Sequence, residues 1–375
     1  MKREHIAGAA GLWILSLFLG SCGAEAPAEK DAALITEAVA EPTAEEAEVP
    51  EPTAVPEPTE VPEPTATPTP VRDKNISIGE IDHYVMSPMV AAYFPEDEAS
   101  GQAFRDLIDA VFAHESSVKL TDDWDNNLVI WNAATESPYF FVVDEDHLAN
   151  DHKTLTLTYR YGEEEAAEML QFIDDSYIEI LNGCITENMS DLEKVLSVYH
   201  YFGERISYDY EWYDSLQAMD TGNRFEAPDI AVYDALKTDS GVCHSYTYLC
   251  QFAFQQLGIE CIRVSADMAS GDDSHMWPIV KIDGNFYNID PTWDSHAEDD
   301  TVGLRYFGMT HDEATTDRGI QDYEAGIDVS YGEVVCEDHR FDCLHDVTDY
   351  HMNYDGTITV YREDGSEEII DVREL

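Results

Sequence analysis

The sequence predicts an α+β fold in which a helix packs on an antiparallel sheet. Three patterns carry this prediction. After Cys243, apolar residues recur at three- and four-residue spacing until Gly258, as in a helix that ends at a left-handed glycine. Two apolar runs flank Asp283-Gly284, which is the strongest two-residue hairpin signal. Alternating apolar and polar residues near the C-terminus indicate a further hairpin.

The composition is that of a folded, strongly acidic protein. The chain has 375 residues, of which 44% are hydrophobic and 11% aromatic, so most of it can bury a core. Its 20 Lys and Arg residues stand against 78 Asp and Glu residues, which gives a formal net charge of −58. A polyanion gains nothing by approaching phosphates, so we expect no nucleic acid partner.

The first residues predict export. Lys2 and Arg3 precede an apolar stretch, Ile6 to Leu19, that is too short to span a bilayer but fits a signal peptide over residues 1–21. This stretch ends in Leu19-Gly20-Ser21-Cys22, which resembles the lipobox of bacterial lipoproteins. The resemblance implies lipidation of Cys22 and an anchor on the extracellular face of a bacterial cell membrane, with no other membrane contact.

The composition of residues 22–72 predicts a disordered acidic linker that is rich in Pro, Thr and Glu. Nine of the 16 prolines of the chain lie between Glu41 and Pro70, and Glu-Pro-Thr recurs four times there. Each proline lacks a backbone donor and biases the residue before it to extended geometry. We therefore expect a solvated spacer without chemistry of its own.

Residues 73–189 form an N-terminal α+β region by pattern. Helical spacing predicts helices over Ala103 to Val111 and Glu163 to Leu181. Enrichment in β-branched and aromatic residues predicts strands over Leu128 to Trp131, Tyr139 to Val143 and Thr154 to Tyr159. No set of residues in this region suggests a reaction.

The next domain, residues 190–318, carries the candidate chemistry. Its first helix begins at Ser190, a possible cap, and buries one apolar face. Cys243 lies at the start of a later helix, where the backbone amides and the positive end of the helix dipole favour a thiolate. The same amides could hold the oxyanion that forms during acyl transfer.

A histidine and an aspartate are predicted to lie together in the following hairpin. If Asp283-Gly284 is a two-residue loop, Ile282 pairs with Asn285, and His275 and Asp290 become diagonal neighbours on one face. A three-residue loop would put them on opposite faces. The turn therefore decides whether a Cys-His-Asp site can form.

These residues resemble the transglutaminase-like superfamily, which shares the papain-type core. The likeness covers roughly residues 190–310 and is carried by Tyr208-Asp209, Gly241-Val242-Cys243, Ser274-His275-Met276-Trp277 and the run from Asp283 through Asp290-Pro291-Thr292-Trp293-Asp294. Members commonly have Asn where this chain has Pro278, which removes a backbone donor and predicts an edge strand.

The resemblance implies that Cys243 is the nucleophile, His275 the base and then the acid, and Asp290 the group that fixes the imidazole tautomer, with no cofactor. Trp277 and Trp293 are expected to wall the site. Further candidate substrate contacts are Tyr208 and His244.

Residues 319–375 are predicted to be a β-rich extension that ends in a hairpin. Before the hairpin lie two cysteines and two histidines, Cys336, His339, Cys343 and His345. A zinc site is conceivable, but the spacing matches no common zinc finger, and outside the cell a disulfide between the two cysteines is an equal alternative. We predict no metal site.

The sequence thus predicts a monomeric surface lipoprotein that carries out thiol acyl transfer on protein or peptide amides, cell-wall peptides among them. The acyl group would pass to water, as in a cysteine peptidase or amidase, or to an amine, as in a cross-linking transglutaminase. Hydrolysis is preferred on analogy alone. The alternative is a noncatalytic surface module that keeps the fold for binding.

Overall fold

The computed structural model describes residues 73–86, 91, 94–95, 97–135, 137–218, 231–269, 274–320 and 334–375. The predicted signal peptide, lipobox with Cys22, and linker lie outside these residues. Among the helices that the structure describes, none is long and apolar enough to cross a membrane.

The N-terminal region combines helices with a small antiparallel sheet. Its elements are α1 (Glu98–Phe112), β1 (Ser117–Lys119), α2 (Trp124–Thr135), β2 (Val143–Leu148), β3 (Thr154–Tyr159) and α3 (Glu163–Cys184). The strand order is β1-β3-β2, with both neighbouring pairs antiparallel. The two predicted helices and the last predicted strand of this region are confirmed.

Two strand predictions in this region are wrong. Leu128 to Trp131 lies inside α2, because the Asp123 side chain accepts a hydrogen bond from Asn126 N (3.0 Å) and so caps a helix that begins at Trp124. A four-residue apolar run cannot by itself be told from the buried side of a helix. The run from Tyr139 is mainly a 3-10 turn, Phe140–Val142, and β2 begins only at Val143.

The second half of the chain begins with α4 (Asp191–Arg205), which has the predicted start at Ser190. The Ser190 side chain accepts from Glu193 N, and the Glu193 carboxylate accepts from Ser190 N (2.8 Å), which is a complete capping box. The elements that follow are β4 (Ser207–Tyr208), α5 (Tyr210–Ala218), α6 (Ala231–Thr238), β5 (Ser240–Gly241) and α7 (Cys243–Gln256).

A four-stranded antiparallel sheet supports α7. It contains β6 (Cys261–Asp267), β7 (Ser274–Ile282), β8 (Asn285–Ile289) and β11 (Phe307–Met309) in the order β11-β8-β7-β6. Between β8 and β11 lie α8 (Pro291–Asp294), β9 (Ser295–His296) and β10 (Thr301–Val302). Helix α7 packs on β6 and β7. The helix that starts at Cys243 therefore covers the strand that starts at Ser274, which is the predicted α+β arrangement.

The turn between β7 and β8 has the predicted two residues. Ile282 pairs with Asn285, and Asp283 and Gly284 both have positive φ, 50° and 93°, as a tight hairpin turn of this kind requires. Pro278, however, does not lie in an edge strand, because β7 has β6 on one side and β8 on the other. The ladder to β8 begins only at Ile279, so the missing N–H falls just outside it.

The C-terminal region adds a three-stranded antiparallel sheet of β12 (Val347–Met352), β13 (Thr357–Arg362) and β14 (Glu367–Asp371). The predicted final hairpin is the pair β13 and β14. The buried Tyr350 hydroxyl on β12 donates to the Leu196 carbonyl of α4 (2.6 Å). This sheet therefore packs directly on the domain that contains Cys243.

Candidate active site

Cys243 begins α7, and its surroundings explain why the helix starts there. Val242 is extended, and its N–H donates to the Ser245 hydroxyl (3.2 Å) inside the first turn. A Cβ at Gly241 would lie 2.6 Å from the Ser245 Cβ, so this approach requires glycine. The Cys243 side chain is fully buried and packs with Met276 of β7. Only the reduced form of Cys243 is a nucleophile.

His275 and Asp290 form a buried pair at the predicted place. His275 Nε2 lies 2.6 Å from Asp290 Oδ2, and neither side chain is exposed. The other oxygen of Asp290 accepts from the backbone N–H groups of Thr292 (3.1 Å) and Trp293 (3.3 Å), because Asp290 caps α8. With the carboxylate accepting at Nε2, the neutral imidazole has its lone pair on Nδ1. That atom is buried and has no hydrogen-bond partner among the residues that the structure describes.

Arg318 completes the site, and sequence reasoning missed it. Its side chain is 1% exposed, and the Nη2 atom lies 2.7 Å from Asp290 Oδ2. The guanidinium lies over the rings of Trp277 (4.9 Å) and Trp293 (4.4 Å). Burial acts to raise the pKa of Asp290, but the charges of His275 and Arg318 and the hydrogen bonds outweigh it, so the pKa lies below its usual value.

No spacing rule leads from Asp290 to Arg318. The arginine follows a π-helical turn, Glu313–Asp317, and precedes Gly319, whose φ is +64°. Such π-turns are rare in proteins as a whole, and those that occur are often at functional sites. They cannot be recognised from one sequence. The only sequence signal is that cations are scarce in so acidic a chain.

The two predicted tryptophans do lie against the histidine. Trp277 stacks on His275 at 5.8 Å between ring centroids with a 16° interplanar angle, and Trp293 lies at 5.4 Å and 40°. Trp277 is held in turn by a hydrogen bond from its Nε1 to Asn288 Oδ1 (2.8 Å). These rings fix the plane of the imidazole and exclude water from it.

Tyr208 and His244 lie near Cys243 rather than against the His275 ring. Tyr208 on β4 pairs with Gly241 on β5, and its ring lies 6.2 Å from that of Tyr213, which packs against the Cys243 and Met276 cluster. His244 faces Tyr248 edge to face at 6.5 Å. Their proposed substrate contacts stay predictions.

Asp294 is a second buried carboxyl close to the site. It accepts hydrogen bonds at Oδ2 from the Tyr199 hydroxyl (2.6 Å) and from Tyr306 N (2.9 Å), and its side chain is fully buried. Burial raises the pKa of Asp294 to about 7. This carboxyl therefore gains or loses its proton near neutral pH.

The cysteines and histidines of the C-terminal region do not form a common site. Cys336 is buried, Cys343 is exposed, and neither is in a disulfide. His339 approaches Asp342 (3.1 Å), whereas His345 Nδ1 lies 3.7 Å from Glu313. Among the described residues, the groupings of possible metal ligands contain no cysteine.

Comparisons with known proteins identify relatives of this core. The family model of the transglutaminase-like superfamily matches residues 179–291. The curated Kyphoscoliosis peptidase of Mus musculus is 27% identical over 149 residues, which are 36% of this chain and 21% of that protein. The match thus spans about a fifth of the relative.

Some solved structures are similar to part of this chain. A transglutaminase (TGase) crystal structure matches with 19% identity, a TM-score of 0.25, and coverage of 40% of this chain and 44% of that chain. The periplasmic domain of TgpA from Pseudomonas aeruginosa, solved with ethylmercury, matches with 17% identity, a TM-score of 0.21, and coverage of 38% and 49%.

Proposed function

We propose that this protein catalyses thiol acyl transfer. Within residues 179–291, which match the transglutaminase-like superfamily, Cys243 is the nucleophile and His275 is the base and then the acid. Asp290 is the orienting carboxylate. The substrates are protein or peptide amides. The observation that carries this proposal is the buried His275 and Asp290 pair, in which the ring nitrogen not used by the aspartate lacks a hydrogen-bond partner within the described part of the chain.

The proposed reaction uses these groups in turn. His275 Nδ1 takes the proton from the reduced Cys243 thiol, and the thiolate sulfur attacks the carbonyl carbon of an amide. The backbone N–H groups at the start of α7 hold the resulting oxyanion. The imidazolium then gives its proton to the departing amine, and an acyl-thioester remains on Cys243.

The second half of the cycle releases the acyl group and regenerates the free enzyme. His275 removes a proton from an incoming water or amine, which attacks the thioester carbon, and the thiolate leaves and is reprotonated. Water gives a carboxylic acid and an amine gives a new amide. Hydrolysis is favoured for this chain because the mouse relative is named a peptidase.

The cellular setting belongs to the same proposal. The lipobox-like Leu19-Gly20-Ser21-Cys22 supports a lipid anchor at Cys22, and the proline-rich linker that follows supports display at a distance from the bacterial membrane. Peptides of the cell wall or of surface proteins are then the substrates within reach.

A noncatalytic binding module is the second candidate. The side chains of Cys243, His275 and Asp290 are all buried, so an acyl substrate reaches the sulfur only when neighbouring residues move aside. A binding protein with a retained but inactive site would show the same burial.

Product analysis separates these functions. The reduced protein is incubated with a glutamine-containing peptide library, with and without a fluorescent primary amine, and products are identified by mass spectrometry. We expect cleaved or deamidated peptides without the amine, none with Cys243→Ala, and unchanged turnover with Cys343→Ser, which removes an exposed cysteine. If folded wild-type protein reacts no faster than Cys243→Ala with every peptide, the enzyme proposal is wrong.

A further inference from the structure

A separate group of ionisable side chains lies where α4 contacts β12. His200 belongs to α4, and Asp349 and His351 lie two residues apart on β12. One ligand atom from each lies within 4.8 Å of the other two. We propose that these three residues bind a divalent ion of the zinc class and that this ion joins the C-terminal sheet to the domain that contains Cys243.

The donor set selects the ion. Two imidazoles with one carboxylate suit Zn²⁺ and similar borderline ions, whereas Ca²⁺ and Mg²⁺ prefer oxygen ligands alone. Ligand atoms on a tetrahedral Zn²⁺ lie about 3.4 Å apart, because bonds of about 2.1 Å meet at the tetrahedral angle. Closing the widest separation allowed here, 4.8 Å, takes about 1.4 Å, which side-chain rotations supply.

The approach of His351 to Asp349 fits ligands of one ion better than a direct bond. His351 Nε2 lies 3.6 Å from Asp349 Oδ2, which is too long for a good hydrogen bond. Two ligands around a tetrahedral Zn²⁺ come about this close. Glu204 adds a further carboxylate nearby, with its Oε2 3.7 Å from His200 Nδ1.

Neighbouring groups hold the ligands in place. Asp349 Oδ1 accepts a hydrogen bond from Val302 N (3.1 Å), which leaves Oδ2 toward the histidines. The His200 ring packs edge to face on Tyr350 at 4.9 Å, and the His351 ring lies 5.7 Å from that of Tyr361. Support of this kind fixes the orientation of metal ligands.

The charges around His200 also suit a metal. The carboxylates of Glu204 and Asp349 supply the negative charge that balances the ion.

Metal titration with matched variants tests the site. The full-length chain is stripped with chelator, kept reduced with a phosphine, and titrated with Zn²⁺ against a chromophoric chelator. His351→Ala changes a half-exposed side chain, and His345→Ala is the control, because His345 lies in another ligand grouping with Glu313 and Asp342. We expect His351→Ala to lose at least about 100-fold in affinity at one site and His345→Ala to keep it.

A Co²⁺ spectrum gives a second readout. Nitrogen and oxygen ligands give visible d–d absorption without a sulfur-to-cobalt charge-transfer band, and His351→Gln, a milder change, should abolish that absorption. Equal Zn²⁺ affinity in wild type, His351→Ala and His351→Gln would overturn the proposal. A charge-transfer band that persists in His351→Gln would place the metal on cysteine and also overturn it.

Discussion

The protonation of Asp294 makes the stability of this protein depend on pH in a calculable way. Its carboxyl is fully buried, accepts from Tyr199 and from the Tyr306 N–H, and has a pKa of about 7 in the folded state against an ordinary 3.8. Asp294→Asn keeps an oxygen for both donors and cannot ionise. The variant therefore isolates the effect of this one proton.

The sign follows from proton binding. Between pH 3.8 and about 7 the folded state holds the proton on Asp294 and the unfolded state has lost it, so the free energy of unfolding falls as pH rises. A shift of about 3 units at 1.36 kcal/mol each gives about 4 kcal/mol in total. About 2 to 3 kcal/mol of this loss falls between pH 5 and pH 8, and the contribution is constant at higher pH.

Urea unfolding at pH 5 and pH 8, with reductant, measures this difference. We expect wild type to lose about 2 to 3 kcal/mol more than Asp294→Asn between the two pH values. Asp299→Asn is the control, because Asp299 is exposed and the substitution removes the same charge nearby. If wild type and Asp294→Asn lose stability in parallel, Asp294 is ionised at both pH values and the reasoning is refuted.

Four further results are expected. Asp290→Asn should keep the fold, checked by circular dichroism, and lower kcat by about 10²–10⁴, because the one amide oxygen stays on the N–H groups of Thr292 and Trp293 and a donor NH₂ group then faces the imidazole; unchanged turnover would remove Asp290 from the mechanism. Arg318→Met should move both limbs of the pH profile of kcat/KM to higher pH, since a buried positive charge beside Asp290 is lost, and Arg318→Lys should restore them. Gly308→Ala should destabilise the protein by about 2–5 kcal/mol in urea unfolding, because φ is +75° and the added Cβ would lie 2.4 Å from a phenylalanine ring. Gly365→Ala, where φ is +82° but the space around the added Cβ is open, should cost only about 1–2 kcal/mol. Equal costs would contradict this account. Cys22→Ala should release the protein from the membrane fraction, and failure of labelled fatty acid to enter the wild type would refute the lipobox interpretation.

Local rules were enough to predict the pairing of His275 with Asp290. The side-chain period of a strand is two residues and the Asp283-Gly284 turn fixes the loop length, so the register follows from counting. The capping box at Ser190 was readable for the same reason, since all its parts lie within four residues.

What could not be predicted depends on contacts between distant segments. Arg318 reaches Asp290 from beyond β11, and Tyr199 donates to Asp294 across 95 positions in the sequence. No sequence periodicity and no turn residue predicts either of these contacts. The helix at Trp124 was missed for a different reason, because its apolar run is as short as a strand.

The position of Arg318 has a consequence for where this domain can be cut. The family match ends at residue 291, so a fragment with that boundary would contain Cys243, His275 and Asp290 but neither Trp293 nor Arg318. Its aspartate would keep a buried charge without the arginine that balances it. A fragment boundary at residue 318 would also be too early. Just beyond it, Ile320 forms a β-bridge with Met268 at the end of β6, and this bridge holds the segment that carries Arg318. A fragment that keeps the charge balance of the site must therefore extend at least through residue 320.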